Sequence, residues 1–282
     1  MRVPEPARTG RTRLPDGRWL GWAEWGPRDG TPVVFCPGAG TGRSLGFGGD
    51  VVDRLGVRLI SLDRPGLGAS DPAPGRTLGS WAADVAALGL TRPRIVGFSQ
   101  GAPFALACAP IAARVAIVSG ADEVAWPAFG PALPAPLRDL VHLAATDPEA
   151  AERSFAAITP DVLWDMIVPG APAVDRAVYE SPEFARAYRG AMAEAFGQGP
   201  GGYARDTLLA MSRWPYDLGA IKVPVDLWYG EQDTTHSPDQ GRTLAGRIPG
   251  ARHHLVHDAG GSLLWTHAEP ILRTLLSALD MP

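Results

Sequence analysis

Short apolar runs rich in β-branched residues recur along the chain, most of them closed by glycine or proline. They are TPVVFC (31–36), VRLISLD (57–63), RPRIVGFS (92–99), ARVAIVSG (113–120), VPVDLWYG (223–230) and ARHHLVHD (251–258). Runs this short, with apolar residues at successive positions, read as strands buried on both faces. Upstream, TRLPDGRWLGWAEWG (12–26) alternates in polarity about Pro15-Asp16-Gly17, the signature of a hairpin. Helical stretches intervene, and GAPFALACAPIA follows the third run directly. Strands alternating with helices predict βαβ units, and so an α/β fold with a mostly parallel sheet flanked by helices.

Between Ala121 and about Gly219 the rhythm breaks. PLRDLVHLAATD, PEAAERSFAAI and SPEFARAYRGAMAEAF are helical stretches separated by proline and glycine, with no strand run among them. The expected division is a core of residues 1–121 and 219–282, with 122–218 as a helical cap. A lid over the strand ends is the natural place for such an insertion, because open α/β sheets bind ligands at the C-terminal edge of their strands.

The chain has 282 residues, 45% of them hydrophobic, enough for one sizeable core. A net charge of -4 gives no basic field for nucleic acid or anionic lipid. No apolar run approaches the roughly 20 residues of a membrane span, and MRVPEPARTGRTR has no apolar core of the kind a signal peptide needs. Cys36 and Cys108 lie in apolar segments and read as reduced core residues, and no Cys/His spacing suggests zinc. The expectation is a soluble, cytoplasmic protein with no metal or cofactor, its oligomeric state open.

The sharpest motif is GFSQG (97–101), a G-x-S-x-G with a strand before it and a helix after it. Ser99 would sit on a turn tight enough to lift its hydroxyl clear of the sheet. Gly97 and Gly101 would flank that turn because side chains there would clash. The Gln100 N–H, at the helix start, would face the site as an oxyanion donor.

These residues, with LPDGRWLGWAEWG, VVFCPGAG, LISLDRPGLGASD, WYGEQD and HAEPIL, resemble a capped, actinobacterial-type member of the α/β-hydrolase fold family of serine hydrolases over nearly the whole length. The resemblance implies that Asp233, in LWYGEQDTTHSP (227–238), is the acid that orients a catalytic imidazole, with Asp122 as the alternative position. It also implies that Ala39, in PGAG, gives the second oxyanion amide. Pro37 replaces the usual histidine of that loop and brings no donor.

One position departs from the family in the reacting group itself. After the last strand the family usually reads Asp-Ala-Gly-His-Ser-Leu-Leu; here Asp258-Ala259-Gly260-Gly261-Ser262-Leu263-Leu264 puts Gly261 where the histidine belongs. Removing the histidine of such a unit costs on the order of a million-fold in turnover. Three explanations stand. Another histidine substitutes, with His257 the best placed by sequence and His236, His253, His254 and His267 behind it; Gly261 is an engineered replacement; or the triad has been abandoned. The nine tryptophans suggest an apolar pocket, with Trp126, Phe129, Trp164 and Trp265 as its lining. The expected activity is hydrolysis of a small apolar ester, lactone or thioester through Ser99. The alternative is a relative that binds a ligand without hydrolysing it.

Overall fold

A computed structural model describes residues 3–278. The strands are β1 (Arg8–Arg13), β2 (Trp19–Trp25), β3 (Thr31–Cys36), β4 (Val57–Leu62), β5 (Arg94–Phe98), β6 (Arg114–Val118), β7 (Val225–Gly230) and β8 (Arg252–Val256). Each predicted run is a strand, and the hairpin is β1–β2. The helices flanking the first half of the sheet are α1 (Asp50–Arg54), α2 (Leu78–Ala86) and α3 (Gly101–Ala107). Six more lie between β6 and β7: α4 (Ala135–Thr146), α5 (Pro148–Phe155), α6 (Pro160–Ile167), α7 (Ala173–Tyr179), α8 (Pro182–Ala195) and α9 (Gly201–Met211). The chain closes with α10 (Arg242–Arg247), α11 (Leu263–Thr266) and α12 (Ala268–Leu276).

All eight strands form one sheet in the order β1-β2-β4-β3-β5-β6-β7-β8. β2 pairs antiparallel with β1 and β4, and every other pairing is parallel. Burial follows position. β6 and β7 are buried at every residue, whereas edge strand β1 alternates between half-buried and exposed. A strand with helices on both sides has no solvent face, so it can be apolar throughout. An edge strand must carry polar groups to discourage further pairing.

Because successive strand residues point to opposite faces, the sheet feeds two cores. Val33, Phe35, Val96, Phe98 and Val118 enter one, together with α12 and residues of the inserted helices such as Tyr179, Phe184 and Tyr188. Val34, Cys36, Ile95, Ile117 and Leu227 enter the other, against Trp81 of α2, Phe104 of α3 and Leu244 of α10. Cys36 and Cys108 are buried and unpaired.

The inserted helices sit on loops that leave the C-terminal ends of β3 and β4. The Gly42 N–H donates to the Ala191 carbonyl at 2.9 Å, and the Gly68 N–H to the Ala195 carbonyl at 3.3 Å. Asp206 of α9 binds both Arg64 and Arg76, all three buried. These contacts bring α8 and α9 to the edge of the sheet where Ser99 lies. No helix among the described residues is long and apolar enough to cross a membrane.

Candidate active site

The turn between β5 and α3 is set by what glycine permits. A Cβ on Gly97 would stand 2.6 Å from the Ala105 Cβ; one on Gly101 would stand 2.0 Å from the Cys36 carbonyl oxygen. The chain can therefore fold back on itself only where side chains are absent. Ser99, between them, takes φ +50°, a conformation that costs a non-glycine residue about 1–3 kcal/mol and is kept only where the surroundings enforce it. Enforcement comes from the backbone. The Ser99 N–H donates to the Val118 and Ser119 carbonyls, and its own carbonyl accepts from Ala102 and Ala121.

The PGAG loop lies beside this turn, since a Cβ on Gly38 would touch the Ser99 Cβ at 3.5 Å. Pro37 brings no donor, and Arg64 supplies the hydrogen bonds instead. Its guanidinium donates to the carbonyls of Pro37 (2.6 Å) and Gly38 (2.9 Å) while pairing with Asp206. Among the described residues, the N–H groups of Ala39 and Gln100 donate to no protein acceptor. Two unpaired amides on neighbouring loops are what an oxyanion site requires.

Asp233 follows β7 and is 1% exposed. Its carboxylate accepts the backbone N–H groups of Thr235 and His236, and it binds the His236 ring. His236 Nδ1 lies 3.0 Å from Oδ1 and 2.9 Å from Oδ2. Burial pushes the Asp233 carboxyl up, but the charge and hydrogen bonds of His236 and the Thr235 amide bring it down to about 2. Burial likewise pushes His236 down, but the charge and hydrogen bond of Asp233, helped by Asp175, outweigh it and raise the imidazole above its usual 6.5. A carboxylate only accepts, so Nδ1 carries the proton and Nε2 is left with a lone pair. Nε2 has no hydrogen-bond partner among the described residues.

The His236 ring lies against the histidine position of the family. A Cβ added to Gly261 would stand 2.6 Å from His236 Cε1 and 2.8 Å from Nδ1, with Asp233 Oδ2 at 3.5 Å. The loop after β7 is also tied to the loop after β5. Asp122 donates its N–H to the His236 carbonyl, and the preceding residue, Ala121, donates to Ser99. The Phe98 ring, next to Ser99, lies 5.8 Å from the imidazole, centroid to centroid.

The structure does not bring His257 to this group. It lies beyond the end of edge strand β8, its side chain is 81% exposed, and Nδ1 pairs with Glu231. Chain proximity to Gly261 was a poor guide, because the turn after β8 directs residue 257 outward. His253 bonds the Gln240 carbonyl, and His254 bonds Asp226 while stacking on Trp228. Asp122 is buried and bonded to the Glu123 amide and Ser237 rather than to an imidazole.

The residues expected to line a pocket sit in different surroundings. Trp265 packs its ring 4.7 Å from Phe98 and 5.0 Å from Phe184, and Trp164 meets Tyr188 at 5.9 Å. Phe129 is buried. Trp126 lies between the guanidinium groups of Arg213 and Arg247, both paired with Glu123, so its surroundings are ionic rather than apolar. Sequence reasoning missed Tyr179, Phe184 and Tyr188, which line up with Trp265 and Trp164, and it missed Asp175 and Arg64. Among the described residues no group of three His, Cys, Asp or Glu side chains is arranged to hold a metal.

Solved structures with a similar fold include an esterase from a Rhodococcus species (TM-score 0.67, 21% identity, 96% of this chain and 99% of that one). A bromoperoxidase from Bacillus anthracis (TM-score 0.67, 21% identity, 95% and 99%) and an enol-lactonase from Burkholderia xenovorans (TM-score 0.64, 22% identity, 95% and 98%) are similarly alike. In sequence, a non-heme chloroperoxidase of Streptomyces lividans is 40% identical over 87 residues, a match that spans 29% of that relative's length and 28% of this chain. Residues 31–268, which hold every strand after the N-terminal hairpin, match the alpha/beta hydrolase fold family, and the chain belongs to that family.

Proposed function

We propose that the protein is a serine hydrolase acting on a small apolar ester, lactone or thioester, with Ser99 as nucleophile, His236 as general base and Asp233 as the acid that orients it. The observation that carries this reading is the His236 ring, bonded through Nδ1 to Asp233 and pressed against the glycine that replaces the family's histidine. The base has moved from the loop after β8 to the loop after β7, three residues beyond the acid.

The chemistry follows from the groups. His236 Nε2 takes the Ser99 proton as Oγ attacks the substrate carbonyl. Negative charge develops on the carbonyl oxygen, which the Ala39 and Gln100 amides receive. Collapse of the tetrahedral intermediate expels the alcohol or thiol, which takes the proton back from Nε2. Water, deprotonated by the same nitrogen, then releases the acid. Asp233 stays ionised and stabilises the imidazolium in both halves of the cycle.

An apolar acyl group is favoured by the aromatic set of Phe98, Trp265, Phe184, Tyr179 and Tyr188. Residues 122–218 act as a cap over the reacting groups, and 1–121 with 219–282 as the catalytic core. The esterase and the enol-lactonase among the structural neighbours agree with this substrate class, and the oxyanion amides fit it.

A fluorophosphonate probe tests the reading. Ser99 is labelled in the unmodified chain, Ser99→Ala abolishes labelling, and His236→Ala slows it by orders of magnitude. Undiminished labelling and esterase turnover in His236→Ala would refute His236 as base. Absence of turnover in every form would favour the ligand-binding alternative.

A further inference from the structure

Two consecutive glycines, Gly260 and Gly261, follow β8, and each makes room for a different visitor. A Cβ on Gly261 would strike His236, as described above. A Cβ on Gly260 would stand 2.3 Å from Oδ2 and 2.6 Å from Oδ1 of Asp175. Neither glycine has a positive φ, so space rather than backbone freedom is what they provide.

Asp175 belongs to α7, in the inserted helices, and is 1% exposed. Its Oδ2 accepts the Gly261 N–H at 2.8 Å and its Oδ1 accepts the Ser262 N–H at 2.7 Å. A buried carboxylate thus grips both amides of the loop that lies against the base. No cation is paired with the Asp175 carboxylate, and these two amide bonds are the carboxylate's only hydrogen bonds among the described residues.

We propose that Asp175 is a positioning residue for the relocated base: it holds the Gly260–Ser262 loop at the distance from His236 that the ring needs, and its charge joins that of Asp233 in stabilising the imidazolium. The proposal rests on the reading of His236 as base. It makes the inserted helices part of the catalytic arrangement, because α7 sets the loop that borders the imidazole. Among the described residues, the charged groups acting on His236 are Asp233 from its own loop and Asp175 from α7. Thr235 contributes an uncharged hydroxyl 3.1 Å from Nδ1, and Phe98 and Gly261 contribute none.

The test uses the full chain, hydrolysis of a short-chain aryl ester across pH, and NMR titration of the His236 ring nitrogens. Asp175→Asn removes the charge and one of the two amide acceptors. It is expected to lower kcat by about 10²-fold, the penalty of a small misplacement, with a smaller change in KM. The acid limb of kcat/KM and the His236 titration should both move to lower pH. Gly260→Ala keeps the charge but pushes the carboxylate off its seat. It is expected to lower kcat while the His236 titration shifts less than in Asp175→Asn. A purely structural Asp175 would alter yield and melting temperature and leave the His236 titration where it was, which overturns the proposal. If Asp175→Asn does not fold, Gly260→Ala decides: wild-type kcat there also overturns it. Failure of the parent reading looks different, because His236→Ala would then keep its turnover, whereas failure of this proposal leaves His236→Ala inactive and Asp175→Asn unimpaired.

Discussion

The loop after β5 and the loop after β8 both depend on paired glycines, and they use them in opposite ways. In the first, Gly97 and Gly101 let the chain approach its own backbone, so that Ser99, a residue of the loop itself, is thrust forward at φ +50°. In the second, Gly260 and Gly261 make the loop thin, so that side chains from two other elements, Asp175 of α7 and His236 of the acid loop, can come in. The first loop presents a hydroxyl of its own; the second supplies room and two N–H groups for a carboxylate. A glycine in the position of a catalytic residue is therefore not by itself a lost function. The space it leaves can be filled from another element, and here an imidazole bonded to Asp233 lies in it.

The comparison breaks first if the visitors are irrelevant. His236→Ala is expected to lower turnover of an aryl ester by on the order of 10⁶-fold, close to the loss in Ser99→Ala, because the two act as a unit. Steady-state kinetics on both variants and on the double variant check this; losses that multiply in the double variant would mean that they act separately. Asp233→Asn is expected to cost about 10⁴-fold in kcat, since an amide no longer fixes the Nδ1–H tautomer or stabilises the imidazolium.

Exchanging the two positions sharpens the contrast. Gly261→His alone introduces a second side chain within 2.6 Å of the His236 ring, so it should lower activity rather than raise it. Combined with His236→Gly, the same substitution puts an imidazole back in the family's register with Asp233 close by. The double variant should then exceed His236→Gly by roughly 10²–10⁴-fold, the usual worth of a general base. A double variant no better than His236→Gly would show that the loop after β8 can no longer carry a base at all.

The proton on His236 gives a smaller and reversible effect. Its pKa is raised, and the proposed mechanism needs the neutral ring, so kcat/KM should fall tenfold per pH unit below that raised value, with a midpoint above 6.5. For stability the sign is opposite. The raised imidazole contributes fully below 6.5, and its share is lost as pH rises through the folded value. The Asp233 carboxyl, lowered to about 2 from 3.8, contributes above 3.8 and loses its share as pH falls towards 2. Activity and melting temperature should therefore diverge on crossing the His236 titration. Parallel curves would indicate that some other group controls the acid limb.

What could be read from the chain follows the same division. Ser99 and its turn were legible because a strand, two glycines and a helix start are local, and local sequence dictates local backbone. The strands were legible because buried parallel strands are apolar at successive positions. Asp233 was legible from its place after a late strand. The imidazole that Asp233 binds was not, because its position depends on which side chain fills a space, and residue number carries no direction: His257 is four residues from Gly261 and faces solvent, while His236 is 25 away and touches it. Its one local signal was the i to i+3 spacing from Asp233 in QDTTH. Trp126 and Asp175 were illegible for the same reason, as one has arginine neighbours from α9's exit and from α10, and the other grips amides 86 and 87 residues away.

The smallest effect separates glycines that space requires from glycines that it does not. Gly101→Ala sets a Cβ 2.0 Å from the Cys36 carbonyl oxygen, a backbone atom that cannot move without shifting β3. Its cost should be about 1–3 kcal/mol, as for other overpacked interiors. Gly190, in the middle of α8, is exposed, and a Cβ there meets nothing within 4 Å. Gly190→Ala should stabilise the fold by roughly 0.5–1 kcal/mol, because alanine loses less backbone entropy in a helix and fits without strain. Denaturant titration of both variants measures the difference, with the slope checked for constancy so that the midpoints report stability. Because α8 carries the Ala191 and Ala195 carbonyls that hold the loops after β3 and β4, Gly190→Ala should leave kcat unchanged if those contacts are already rigid. A fall in kcat with a rise in stability would instead mean that the inserted helices must yield for substrate to reach Ser99.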